Sequence, residues 1–305
     1  MTFRSGANYE GRRARSGSGG RRGGTIAAGG GIGTLLLIGL FLLMGGNPGD
    51  LGGMLGANDS QGQVESGEST DGTDPLAHCD SAEAANTYDD CRVEATARSV
   101  DQVWTAILPE QAGLDYTEPG LVIFQDATNS GCGYASAQTG PFYCPGDQSA
   151  YFDTSFFDQL TQFGAENAPL AQEYIVAHEF GHHIQQIEGT LGLSNYNQPG
   201  EDSNAVKIEL QADCYAGIWA HHASEPGANG EEPYIEKITD EQAQSAIDTA
   251  RAVGDDNIQR RSGGQVRPDQ WTHGSSEQRG NAFLTGYREG TMSACDYLER
   301  GAYKS

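Results

Sequence analysis

Residues 169–189 read PLAQEYIVAHEFGHHIQQIEG. Pro169 suits the first turn of a helix, Leu170, Tyr174, Ala177, Gly181 and Ile184 recur on one face, and Gly189 supplies the stop, so one continuous helix is expected. Inside it sits HEFGHH, residues 178–183. Histidines four apart lie one above the other on a helix, so the imidazoles of His178 and His182 can reach one tetrahedral metal, with Glu179 set beside them by about 100° of rotation. With 7 histidines in 305 residues, the pattern HExxH arises by chance about 0.02 times in such a chain. The apolar setting, IVAHEFGHHI, argues further against two surface histidines. His183 is rotated off the ligand face, which fits packing or a backbone hydrogen bond.

A catalytic zinc site takes three protein ligands and leaves a position for water. One arrangement places a glycine three residues and a histidine six residues past the second ligand. Gln185 and Glu188 occupy those positions here; Gln185 offers no sharp turn, and Glu188 on a continuing helix would point away. The alternative is a glutamate on a later helix. In ELQADCYAG, residues 209–217, Glu209 can ligate while Asp213, one turn on, accepts a hydrogen bond from a ligand imidazole and fixes its tautomer.

Helical spacing predicts further helices over about Asp89 to Leu108, with Pro109 ending it, over Ala205 to His222, from Thr239 to near Gly254 with a Thr239/Gln242 capping box, and over about Ser275 to Gly286. His221 and His222 close a helix, where positive charge suits the dipole. Leu121–Phe124 and Ala150–Asp153 read as two strands of a small sheet.

The N-terminal quarter is of another kind. Residues 1–24 hold six arginines against Glu10, a net of +5, in a chain of net charge −24, so the remainder carries −29. An acidic body of that size repels phosphate backbones, which excludes nucleic acid as a partner. Residues 25–45 form an apolar stretch long enough to cross about 30 Å of hydrocarbon. Its Arg-rich flank predicts a single-pass anchor in the cell membrane, with residues 1–24 as a basic cytoplasmic tail and everything after the span extracytoplasmic. No A-x-A site follows that would mark a cleaved signal peptide. Residues 46–75, rich in Gly, Ser and Asp, are expected to be a flexible linker, and residues 76–305 the folded domain. Six cysteines fit an exported domain. Their separations suggest Cys79–Cys91, Cys132–Cys144 and Cys214–Cys295; the absence of C-x-x-C pairs argues against a zinc ribbon.

HEFGHHIQ and ELQADCYAG, with GCGYASAQTGPFYCPGD (131–147) upstream and THGSSEQR (272–279) downstream, resemble the bacterial neutral zinc metallopeptidase family of YpfJ-like proteins, from about Cys79 to the C-terminus. The Arg-rich start before a Gly-rich apolar segment is similar too. More distantly, the layout resembles HtpX-like peptidases and minigluzincins, which have a HExxH helix, a later ExxxD helix and a downstream His and Arg. His273-Gly274 stands where HtpX-like chains usually have His-Pro. The resemblance implies an α+β fold: a mainly helical, zincin-like domain of minigluzincin type with a small β-sheet, after one transmembrane helix and a disordered linker. It implies one Zn2+ per chain on His178, His182 and Glu209, with Asp213 behind a ligand and Glu179 as general base. His273 or Arg279 is expected to support the oxyanion. The expected activity is a membrane-anchored zinc metalloendopeptidase acting on a protein or peptide, with the substrate strand near Tyr134–Tyr151. A tethered adaptor with structural zinc, or a zinc amidase acting on a cell-wall bond, are the alternatives.

Overall fold

The computed structural model describes residues 2–17, 74–136 and 139–304. In chain order its elements are β1 (Arg15–Ser16), α1 (Ala82–Thr87), α2 (Asp89–Gln111), β2 (Gly120–Phe124), β3 (Ala127–Ser130), β4 (Gly133–Ser136), β5 (Phe142–Cys144), β6 (Ser149–Asp153), α3 (Leu160–Phe163), α4 (Pro169–Glu188), α5 (Asn204–His222), α6 (Asp240–Ala252), α7 (Asp255–Arg261) and α8 (Ser276–Glu289). The fold is α+β and about half helical, with two small sheets. The expected transmembrane helix at 25–45 and nearly all of the 46–75 linker lie outside the described residues. Among the described residues no helix is long and apolar enough to cross a membrane.

The helix ends follow from their residues. Pro169 opens α4, and Gly189 closes it in the left-handed conformation at φ 70°. Both halves of the Thr239/Gln242 capping box are made at α6, and Ser275 with Gln278 forms a second one at α8. Pro109 does not end α2: the helix runs to Gln111, because the Ala112 N–H still closes onto the Leu108 and Pro109 carbonyls and only the proline's own donor is lost. Helix α7 was not foreseen; none of its residues is buried, so it carries no apolar stripe to detect.

The larger sheet has the order β1-β2-β6-β5. The two expected strands are its centre: β2 and β6 run parallel with Val122 opposite Tyr151, and β5 pairs antiparallel with β6. β3 and β4 form a separate hairpin. The outer strand β1 comes from residues 2–17, expected within a basic tail apart from the domain. Those residues are instead packed onto it, Arg15 lying opposite Val122 and Arg13 spanning to Asp101 at 2.5 Å.

Two close helix approaches set the site. A Cβ at Gly181 would stand 3.0 Å from the Ala212 carbonyl oxygen, so α4 and α5 meet almost backbone to backbone at the HExxH turn. A Cβ at Gly286 would strike the Cys214 carbonyl, and α8 packs equally tightly on α5. Trp104, Trp219, Phe180 and Phe283 fill the surrounding core with 0 % exposure; such burial contributes about 1.5–3 kcal/mol per large apolar side chain. The disulfides are Cys79–Cys91, Cys132–Cys144 and Cys214–Cys295, the pairing that the separations suggested. The last ties α5 to the turn after α8.

Candidate metal centre

On α4, one turn separates His178 from His182, and their rings stand 4.8 Å apart at 84°. The Gly181–Ala212 contact carries Glu209 of α5 to both: its Oε2 lies 3.3 Å from His178 Nε2 and 3.7 Å from His182 Nε2. The potential ligand atoms of the three residues all fall within 4.8 Å of one another, and all three side chains are buried.

Outer hydrogen bonds turn both imidazoles inward. His178 Nδ1 sits 2.8 Å from Asp213 Oδ1, a carboxylate that can only accept, so the ring donates there and its Nε2 lone pair faces Glu209. His182 Nδ1 meets Gln185 Oε1 at 2.8 Å; the Gln185 amide donates to the Ile208 carbonyl and Gln211 Oε1, which fixes its oxygen as the acceptor. Asp213 is held in turn by Arg279, through Nε at 2.7 Å and Nη2 at 2.9 Å, and by the Tyr174 hydroxyl at 2.5 Å. Such partners orient ligands and raise their basicity.

The centre lies in an open cleft walled by Pro141, Phe142, Phe156, Ile175 and Val253. Glu179 and His273 also line it. His273 is anchored by Asp255, which accepts its backbone N–H at 2.8 Å and faces its Nδ1 at 3.3 Å. Arg279 reaches the cleft, but its donors go to Asp213, Tyr174 and the Val253 carbonyl. His183 points elsewhere, bonding the Thr117 carbonyl through Nε2 at 2.6 Å and the Tyr143 hydroxyl through Nδ1 at 2.9 Å, and so links α4 to β5.

Two atoms fit a centre that would hold a cation. Among the described residues Glu209 Oε1 and Glu179 Oε2 are buried with no hydrogen-bond partner, and buried carboxylate oxygens without partners are costly. Two neutral imidazoles and a carboxylate are also the donor set that zinc takes in open sites. The sequence model of the family described as "Putative neutral zinc metallopeptidase" matches residues 1–298. The chain belongs to the neutral zinc metallopeptidase family.

Its relatives include the "Uncharacterized protein Rv2575" of Mycobacterium tuberculosis, 46% identical over 224 residues that cover 72% of this chain and 74% of the relative. The "Uncharacterized protein YpfJ" of Escherichia coli is 36% identical over 195 residues, 61% of this chain and 64% of its own. No solved structure matches the chain. Family membership implies zinc, and the residues assembled here fit it.

Electrostatics in this zinc-family site follow from burial set against charge. Burial pushes the Glu179 carboxyl up to about 7, with Glu209 adding to the rise and His178 opposing it. Burial would raise Asp213 as well, but Arg279 and His178 outweigh it and hold that carboxyl at about 2. For Glu209 burial is likewise outweighed, by His182 and His178, and the group is lowered. Burial takes His182 down to about 4. At His178 burial is overcome by Asp213 and Glu209, which push the imidazole up to about 10.

Gln185, Tyr174, Asp255 and Tyr196 escaped the sequence reading. Gln185 stood at the position examined for a glycine, three residues past His182; the same i, i+3 spacing that discounts a turn puts an amide beside the ring, and that signal was available. Tyr174, four residues before His178 on the same helix, reads from its spacing as a packing residue, and Asp255 and Tyr196 come from distant segments that carry no local pattern.

Proposed function

We propose that this protein is a zinc endopeptidase in which His178, His182 and Glu209 hold one Zn2+ and Glu179 is the general base. The observation that carries the reading is the convergence of two inward-facing Nε2 atoms on Glu209 Oε2 beneath an apolar cleft, with Glu209 Oε1 unpaired among the described residues and Glu179 buried at their side. When bound, Zn2+ supplies Lewis acidity that brings a water's pKa to about 7 and polarises a carbonyl.

The chain's own groups do the rest. Glu179, raised toward neutrality by its dry setting, takes the proton of the attacking water and returns it to the departing amine. His273 lines the cleft while Asp255 holds its Nδ1, and its Nε2 donates to the developing oxyanion. Arg279 keeps Asp213 ionised, and Asp213 keeps His178 oriented. β5 is an outer strand of its sheet, Phe142 lines the cleft, and the Tyr143 backbone N–H faces Glu179. An extended peptide added along that edge would bring its carbonyl over the centre, which supports a protein or peptide substrate.

The test is metal content together with cleavage of denatured casein by the full chain, wild type beside Glu179→Gln. Zinc in both proteins and fragments from the wild type alone is the expected result. Zinc-free wild type, intact casein with both, or products released only from peptidoglycan would overturn the reading.

A further inference from the structure

The loop from α4 to α5 brings Tyr196 beside Glu209. The hydroxyl of Tyr196 is enclosed and makes no well-formed hydrogen bond among the described residues, although Ser194 and Glu209 both lie within its reach. Its polar neighbours are Ser194 Oγ, also without a partner, and the Glu209 carboxylate, with Glu179 beyond. Glu209 turns Oε2 to the two imidazoles and leaves Oε1 buried and unpaired. A buried donor and a buried acceptor thus stand side by side, each lacking what the other offers. We propose that the Tyr196 hydroxyl hydrogen-bonds Glu209 Oε1 once Oε2 is committed to the metal, making Tyr196 a positioning residue for that ligand. Tyr196 does not line the cleft, so it acts through Glu209 and does not touch substrate. The inference rests on His178, His182 and Glu209 being metal ligands.

Zinc affinity of the full chain, measured by competition with a chromophoric chelator, tests it on wild type, Tyr196→Phe, Ser194→Ala and Glu209→Gln. Tyr196→Phe is expected to weaken binding about 10–100-fold and to shift the visible bands of the Co2+ form, with Ser194→Ala within about threefold of wild type. Unchanged affinity in Tyr196→Phe with a lower turnover would assign the hydroxyl to substrate and overturn the proposal while the ligand set stands. Equal losses in Tyr196→Phe and Ser194→Ala would mark loop packing and overturn it too. Full affinity in Glu209→Gln would remove the ligand set itself, and this inference with it. Should Tyr196→Phe fail to fold, the zinc-loaded wild-type crystal decides: Oη within about 3.0 Å of Oε1 supports the bond, and beyond about 3.5 Å refutes it.

Residues 2–17 carry a second, independent inference. Thr2 Oγ1 donates to Glu173 Oε1 at 2.6 Å, the Glu236 N–H donates to the Thr2 carbonyl at 2.7 Å, and the Arg4 N–H donates to the Tyr234 carbonyl at 2.9 Å. Arg13 pairs with the buried Asp101 and lies 5.7 Å above the Phe180 ring, within the HExxH turn. Glu173 and Phe180 belong to α4, the helix that carries His178. Drawn across a bilayer, this arm would leave Asp101 without its cation and Glu173 without its donor, both buried. We infer that residues 2–17 lie in the same compartment as the metal centre, so that the chain between 17 and 74 starts and ends on one side of any membrane it meets.

All six native cysteines are in disulfides, so Gly6→Cys on the arm and Glu241→Cys on α6, both exposed positions, each create a lone thiol. A membrane-impermeant maleimide is applied to intact and permeabilised cells that produce the full chain. Both thiols reacting under the same condition is expected. One reacting in intact cells while the other needs permeabilisation would overturn the inference. Ser5→Cys, also exposed, replaces Gly6→Cys if that variant does not accumulate.

Discussion

His178, His182 and Glu209 gather on two packed helices with every side chain buried, whereas His78, Cys79, Asp90 and Cys91 gather where α1 and α2 begin, with His78 exposed. Both groups hold residue types that bind transition metals. In the second, the two sulfurs are already joined, and the His78 ring is occupied by the Pro75 carbonyl at 3.1 Å and by Asp90 at 3.3 Å. In the first, the outward nitrogens are held by Asp213 and Gln185 while the inward atoms have nothing but each other. The difference teaches that a metal centre is recognised by unmet acceptors in a dry place with their backs supported, and that residue type at metal-like spacing is not enough.

The largest effect that could break this contrast is on catalysis. Glu179→Gln is expected to lower casein cleavage by about two to four orders of magnitude with zinc content unchanged, read by fragment assay and metal analysis. A loss of zinc would mean that Glu179 is a ligand and not a base.

Dryness itself can be measured next at Glu173, five residues before His178. Burial pushes its carboxyl from 4.5 up to about 7, against the Thr2 hydroxyl and Arg92. Because the folded pKa lies above the unfolded one, folding penalises the charged form: the stability contribution is full below pH 4.5 and is lost as pH rises through 7. Glu173→Gln, neutral throughout, should therefore gain on wild type across that window, by about 3 kcal/mol at its upper end. Urea unfolding of both proteins from pH 4 to 8 reads it, and a constant difference would contradict it.

Removing a supporting partner comes third. Gln185→Ala and Asp213→Asn should each weaken zinc binding about 10–100-fold in chelator competition; retention of full affinity would show that the imidazoles need no backing. The smallest effect is at the other cluster, where His78→Ala should leave zinc affinity and cleavage within about twofold of wild type, since its neighbours offer no open valence.

The motif-bearing parts were legible because they are local. The period of 169–189 gives α4, HExxH points to the two proposed imidazole ligands and the proposed base, and Glu209 with Asp213 follows from the same helical arithmetic on α5. The cysteine separations pointed to one of the 15 pairings open to six cysteines, and it is the one found, since two of the three loops are short. What could not be read depends on distant contacts. The arm looks like a polar tail because its arginines find partners only in three dimensions, Asp101 standing 88 positions away. Tyr196 and Asp255 lie in segments without periodicity, and only the assembled site gives them meaning. Arg279 was legible as a site residue, and the two-pronged grip on Asp213 that occupies its donors was not.

The most direct measurement is anomalous diffraction at the zinc edge from crystals of the zinc-loaded full chain. The account predicts one strong peak about 2.0–2.2 Å from His178 Nε2, His182 Nε2 and a Glu209 oxygen, and none beside His78. A peak bound by His78 and Asp90, or a centre at His178 and His182 that Glu209 does not reach, would contradict it.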